Sequence, residues 1–90
     1  MLTDKQIRNL VPLRYPRKVT DGRGLYLLVT ANGGKYWRYD YRFNGKRRTL
    51  ALGIYPDVPP ERARARHQEA RSLLARTIDP SARKRHLRSI

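Results

Sequence analysis

KYWRYDYRFNGKRRTLAL, residues 35–52, is the stretch whose alternation decides the fold. Trp37, Tyr39, Tyr41 and Phe43 share one parity, and Arg38, Asp40 and Arg42 share the other. A period of two marks a strand with one buried face and one wet face. Asn44-Gly45 follows, the dipeptide best suited to a two-residue type I′ turn, whose central residues both need positive φ. The chain then returns through Lys46, Arg47, Arg48, Thr49, Leu50, Ala51 and Leu52. Such a hairpin has one aromatic and aliphatic face and one face rich in guanidinium groups. It presents cations to something anionic.

Working upstream, Leu25 to Thr30 reads as a further strand, with Leu25, Leu27 and Val29 on one face and Tyr26, Leu28 and Thr30 on the other. Ala31-Asn32-Gly33-Gly34 turns it into the hairpin, so residues 25–52 form a three-stranded antiparallel meander. Asp21-Gly22-Arg23-Gly24 is a turn, and Val19 can open a short extra edge strand. Pro12 and Pro16 argue for an extended connector through Lys18. Thr3 with Gln6 forms a capping-box pattern, and Ile7, Leu10 and Val11 fit one face of a short N-terminal helix.

Downstream, Gly53 to Pro59 breaks the pattern. A helix begins near Pro60, where a missing N–H costs nothing, and runs to about Arg76. Ala63, His67, Ala70, Leu73 and Leu74 give it an apolar stripe, with Arg62, Arg66 and Arg71 mostly off that stripe. His67 on such a stripe reads as a packed residue. Pro80 ends the element. The fold class is α+β: a three-stranded antiparallel sheet packed against one C-terminal α-helix, with a short N-terminal helix. Residues 1–80 form one domain, and the basic stretch 81–90 reads as a linker.

Ninety residues can bury one modest core, which argues against a deep catalytic cleft. Lys and Arg number 21 against 7 Asp and Glu, a formal charge of +14 spread along the whole chain, so the expected partner is a polyanion. Arg predominates over Lys, and Arg holds phosphate or guanine bidentately, which favours nucleic acid. With no cysteine, no apolar run near the roughly 18 residues of a membrane span and no signal-peptide pattern, the expected location is the cytoplasm.

The face opposite the aromatic parity is the first candidate site: Arg38 and Arg42, Arg47 and Thr49, and Tyr26, Leu28 and Thr30 are neighbours there. A B-form major groove admits β-strands, with Arg able to bond guanine. A solvated sheet face is the plain alternative. Asp40 can orient Arg38 or Arg42 as a cross-strand ion pair, or read a cytosine amino group. Two rival readings remain. Trp37, Tyr39, Tyr41 and Phe43 could stack unpaired bases, making a single-stranded nucleic-acid (RNA) binder, or the basic sheet could dock acidic protein partners. The helix, with Ala and a few Leu on its stripe, is a poor membrane-surface amphipath. Gly22-Arg23-Gly24 and Gly33-Gly34 read as turns, since no helix follows to complete a phosphate cradle. No metal-ligand spacing, Ser-His-Asp set, carboxylate pair or catalytic tyrosine setting is present, so neither a catalytic nor a metal site is expected, and no cofactor.

Leu2-Thr3-Asp4, Ile7-Arg8, Asp21-Gly22-Arg23-Gly24-Leu25-Tyr26-Leu27, Gly34-Lys35, Trp37, Tyr41-Arg42, Gly45-Lys46, Leu52-Gly53, Tyr55-Pro56, Ala63-Arg64 and Ile78-Asp79-Pro80 follow one another in this order along the chain. In this series the sequence resembles the N-terminal arm-type DNA-binding domain of phage and genomic-island tyrosine recombinases, the P4-like integrases. The resemblance implies a sheet that enters the major groove at arm-type attachment-site repeats in double-stranded DNA, with core-binding and catalytic domains following in the parent protein. It implies DNA integration and recombination in a bacterial host, at the nucleoid, with other integrase domains as partners. The chain is then a fragment without the catalytic Arg-His-Arg set and tyrosine nucleophile. On this reading Arg38, Arg42 and Arg47 enter or rim the groove, Thr49, Tyr26 and Thr30 add contacts, and Lys35, Lys46 and Arg48 anchor phosphates. Arg62 and Arg66 can add backbone contacts. The chain departs from the family pattern at Pro59-Pro60, which leaves Asp57 or the Val58 backbone to take the place of the usual N-cap, at Thr77, where a helix-ending Gly is usual, and at Leu28, where relatives often carry a polar or basic residue on the groove side.

Overall fold

At the Asn44-Gly45 turn φ is 51° and 76°, the paired left-handed values of a type I′ turn. The computed structural model describes residues 1–83, so the expected linker beyond Arg83 lies outside the described residues. The turn joins β3 (Lys35–Phe43) to β4 (Lys46–Ile54) and sets Phe43 opposite Lys46, Arg42 opposite Arg47 and Tyr41 opposite Arg48. β2 (Leu25–Val29) pairs with the other edge of β3, placing Leu27 opposite Trp37 and Tyr26 opposite Arg38.

The sheet has four antiparallel strands in the order β1-β2-β3-β4, which corrects the expected three. β1 (Arg17–Gly22) starts directly after Pro16, so the extended connector ends two residues earlier than the prolines suggested. The physical reason is the edge of β2. Pairing Val19 with Leu27 and Arg17 with Val29 satisfies a row of backbone groups that would otherwise stand open.

Trp37 is fully buried (0% exposed) at the centre of a core with Leu25, Leu27, Val29, Leu50 and Leu52, and its Nε1–H donates to the Val58 carbonyl at 2.8 Å. α2 (Pro60–Ala75) lies over β3 and β4 and buries Ala63, His67 and Ala70. α1 (Asp4–Arg8) adds Ile7 to the same core, held by the expected capping box: the Gln6 N–H donates to Thr3 Oγ1 at 3.1 Å, and the Thr3 N–H to Gln6 Oε1 at 2.9 Å. Between Trp37 and Arg38 the β3–β4 register slips by one residue at Leu52. Gly53 beside the slip has φ 127°, and a Cβ there would collide with Val58.

α2 has no side-chain cap: its N-cap is Pro59, not Asp57, and the Val58 carbonyl is taken by the Trp37 Nε1–H at 2.8 Å. Pro60 at the first helical position removes one of the donors a cap would have served. At the other end Ile78 N–H bonds Leu73 O and Thr77 N–H bonds Leu74 O, both at 2.9 Å, a Schellman ending. Thr77 sits at its left-handed position with φ 59°. The Arg64 guanidinium on α2 clasps Asp21 of β1 through Nε at 3.0 Å and Nη2 at 2.8 Å, and also reaches the Leu2 carbonyl. Burial alone would raise the Asp21 carboxyl; the hydrogen bonds from Arg64 and the Leu2 N–H, with the Arg64 charge, hold it below the ordinary value. This pins the N-terminus, the outer strand and the helix together.

Candidate nucleic-acid interface

Both helices lie on one side of the sheet, so the other side is the free face. Residues opposite one another in an antiparallel ladder share a face, and the register assigns its rows. Arg42 stands opposite Arg47, and Asp40 opposite Thr49. The next row runs Thr20, Tyr26, Arg38 and Ala51, and the next Lys18, Leu28, Tyr36 and Ile54. The parity read from the sequence therefore puts Arg38, Arg42, Arg47, Thr49, Tyr26 and Leu28 on one surface. Lys18, Thr20, Tyr36 and Ile54 join them, and the sequence reading missed these. Alternation along a strand that starts at Arg17 puts Lys18 and Thr20 on this face.

Asp40 is the hinge of this face, although its partners differ from those expected. It accepts from Thr49 Oγ1 at 2.7 Å and Tyr26 OH at 3.0 Å and pairs with Lys18 Nζ at 3.3 Å, so strands β1, β2 and β4 all converge on it. Neither Arg38 nor Arg42 is its ion-pair partner, because the register puts Thr49 beside it and the long Lys18 side chain reaches across Tyr26, 4.8 Å above the ring. Burial alone would raise the Asp40 carboxyl; hydrogen bonds from Thr49, Tyr26 and Lys18 outweigh it and lower the pKa. Tyr26, though outward by parity, is 7% exposed beneath these side chains, and burial together with Asp40 raises its phenol. The single carboxylate of the face is thus consumed internally. Arg42 and Arg47 are exposed and have no ion-pair partner among the described residues, and Arg38 Nε is buried without a hydrogen-bond acceptor.

Comparison with known proteins gives the family. The Arm DNA-binding domain family matches residues 2–86. The chain belongs to that family. It is 40% identical over 90 residues to the integrase of Enterobacteria phage P4, covering 98% of this chain and 20% of that protein. It is 42% identical over 91 residues to prophage integrase IntZ of Escherichia coli K12, covering 99% and 23%. To the putative protein IntB of the same organism it is 50% identical over 62 residues, covering 69% and 16%. The chain thus spans about a fifth of the length of these curated relatives. It is a DNA-binding module of the kind carried by phage and prophage integrases.

Within this arm DNA-binding domain the remaining candidate residues have other settings. Lys35 lies on the helix side, with Nζ on the Ile7 carbonyl at 2.7 Å and 5.7 Å from the Tyr55 ring centre. Arg48 stands opposite Tyr41 on the same side, and its Nε lies 3.5 Å from Asp79 Oδ2. Asp79 also accepts from Tyr41 OH at 2.5 Å. Burial opposes the ionised Asp79 carboxylate, but the Tyr41 and Ser81 hydrogen bonds and the Arg48 charge lower its pKa. Lys46 is exposed at the hairpin tip, opposite Phe43. Thr30 falls just past β2, where its hydroxyl closes the turn onto Asn32 and Gly34. Arg62 is exposed, whereas Arg66 donates to the Leu52 carbonyl at 2.8 Å. His67 is packed as expected, 7% exposed, edge-on to Tyr39 with Nε2 3.1 Å from the Arg23 carbonyl. Burial lowers its pKa. Among the described residues no group of three or more His, Cys, Asp or Glu could hold a metal, and no helix is long and apolar enough to cross a membrane.

Proposed function

We propose that this domain binds duplex DNA sequence-selectively at arm-type attachment-site repeats, with the free sheet face in the major groove. It acts as the N-terminal module of a tyrosine-type site-specific integrase in the bacterial cytoplasm, at the nucleoid. Residues 1–80 make the module, and 81–90 lead toward core-binding and catalytic regions that carry the strand cleavage; the isolated chain does not cut DNA. The observation that carries this reading is the Arg42–Arg47 pair. Two guanidinium groups directly opposite on adjacent strands repel, and no described carboxylate relieves them. An anion resolves that repulsion, and Arg is the side chain that grips phosphate or guanine through two parallel bonds. Arg38 brings a third guanidinium to the same surface. Thr49 and Tyr26 add contacts near the centre, with Thr30 beside them at the turn. Lys18 and Lys46 serve as phosphate contacts at the rim, whereas Lys35 and Arg48 are held on the helix side by the Ile7 carbonyl and Asp79, and Arg62 reaches the backbone from the helix.

The single-strand rival needs open aromatic platforms. Trp37, Tyr39 and Tyr41 are at most 7% exposed, under α2, which removes most of the support for stacking. Competition between a randomised duplex pool and single-stranded oligonucleotides, read by anisotropy, separates the readings. The duplex wins under the proposal, with a log-log salt slope near about −5 for five or six phosphate contacts. Preference for single strands, or a slope near zero, removes it in favour of a stacking or protein-docking module.

A further inference from the structure

The free face is chemically divided along its length. Its cationic end is the Arg42–Arg47 row. At the other end Leu28, Tyr36 and Ile54 stand side by side on three adjacent strands, with Lys18 closing the row. Ile54 is 51% exposed, Leu28 and Tyr36 are half-buried, and the Tyr36 ring lies against Gly34. Neither helix covers this side. The wet face of an antiparallel sheet is ordinarily polar, so three apolar side chains in register there form a surface made for an apolar contact.

We propose that Leu28, Tyr36 and Ile54 form a contact row for the 5-methyl groups of thymine, making the bound site A·T-containing at that end and guanine-containing under the arginines. This rests on the major-groove reading above. Thymine is the base that offers a methyl group in the major groove, and apolar side chains are its partners there. The dimensions agree. Three strands at roughly 4.8 Å spacing make a row about 10 Å wide, inside a groove about 12 Å wide. From Tyr36 to Arg42 is six residues of β3, about 20 Å at 3.3 Å per residue. That is about six base-pair steps at 3.4 Å each. One face can therefore span two compositionally distinct parts of a site, and Asp40, tied to Thr49 and Tyr26, stands between them.

The test starts from duplexes selected by the domain out of a randomised pool. Each thymine of a selected duplex is replaced singly by deoxyuridine, which deletes only the methyl, and affinities are measured for the natural domain and for Ile54→Ser, Leu28→Ser and Tyr36→Ser. The expected result is a loss of about fourfold at one or more thymines, the worth of one buried methyl group. That penalty disappears in the variant whose side chain met the methyl. Ile54 is exposed, so Ile54→Ser keeps the fold, which circular dichroism checks. Deoxyuridine substitution that is neutral at every thymine, or an undiminished penalty in all three variants, overturns the proposal while leaving duplex binding intact. Failure of the domain to retain any duplex overturns the major-groove reading itself.

Discussion

Arg42 and Arg47 face each other across the β3–β4 ladder, both exposed, two residues from a type I′ turn that fixes their register. Like charges in directly opposed positions destabilise a sheet by a few tenths to about 1 kcal/mol. Under the proposed DNA-binding role, stability and affinity pull in opposite directions here. Replacing both by Ala is expected to hold or raise the melting temperature while weakening duplex binding about 30-fold or more, since each lost bidentate contact is worth about 1–3 kcal/mol. Parallel thermal melts and anisotropy titrations check it. A variant that melts earlier and binds unchanged assigns the pair a structural role.

Asp40 gives the converse case. Asp40→Asn keeps the shape but removes the charge that Lys18 pairs with at Oδ2, while an amide oxygen in the place of Oδ1 still accepts from both Thr49 and Tyr26. The expected cost is about 1 kcal/mol of stability. Affinity for mixed-sequence duplex is expected to rise, because the face loses its one carboxylate and frees Lys18. Denaturant melts and binding to unselected DNA measure the two effects.

Much of this surface was legible in the sequence because a period of two and an Asn-Gly turn leave little freedom. The alternation from Lys35 to Phe43 fixes the buried aromatics, and with them the arginine face. The same turn also dictates that Arg48 falls opposite Tyr41, on the aromatic side, and counting across it reveals this without coordinates. Its ion pair with Asp79 was not legible, since it joins residues 31 apart through the exit from α2. β1 was half-legible: Val19 alone signals a strand, whereas the rest of Arg17–Gly22 is polar and is fixed by the open edge of β2. The Lys18 partner of Asp40 followed from that strand and was hidden with it.

Thr77 is a local choice that costs stability. It occupies the left-handed position of the Schellman ending with φ 59°, where a side chain costs roughly 1–2 kcal/mol relative to glycine. Thr77→Gly is expected to stabilise the domain by about 1 kcal/mol, and Thr77→Ala to give little of that gain. Urea denaturation of the two variants decides between relief of backbone strain and loss of a Thr contact.

Acid acts in two steps. Burial lowers the pKa of His67 below its ordinary 6.5, so as pH falls through 6.5 the unfolded chain takes up a proton that the folded chain refuses, and stability drops. Asp21, Asp40 and Asp79 all lie below their ordinary 3.8, so the stability they contribute is present above that value and is lost as pH falls further. Free energies of unfolding between pH 8 and 2.5 are expected to fall in two stages, and His67→Gln is expected to flatten the first. A profile flat down to about pH 4 with His67 present contradicts the assignment.

Under the proposed function, the face turned away from the helices holds duplex DNA. Amide and side-chain NMR shifts, followed while a selected duplex is titrated into the labelled domain, test it most directly. Shifts are predicted to concentrate on Arg38, Asp40, Arg42, Arg47 and Thr49 and on the Arg38 Nε–H, which lacks an acceptor in the free domain. Shifts confined to α2, around Arg62 and Glu69, with the β3–β4 resonances unmoved, would contradict the account.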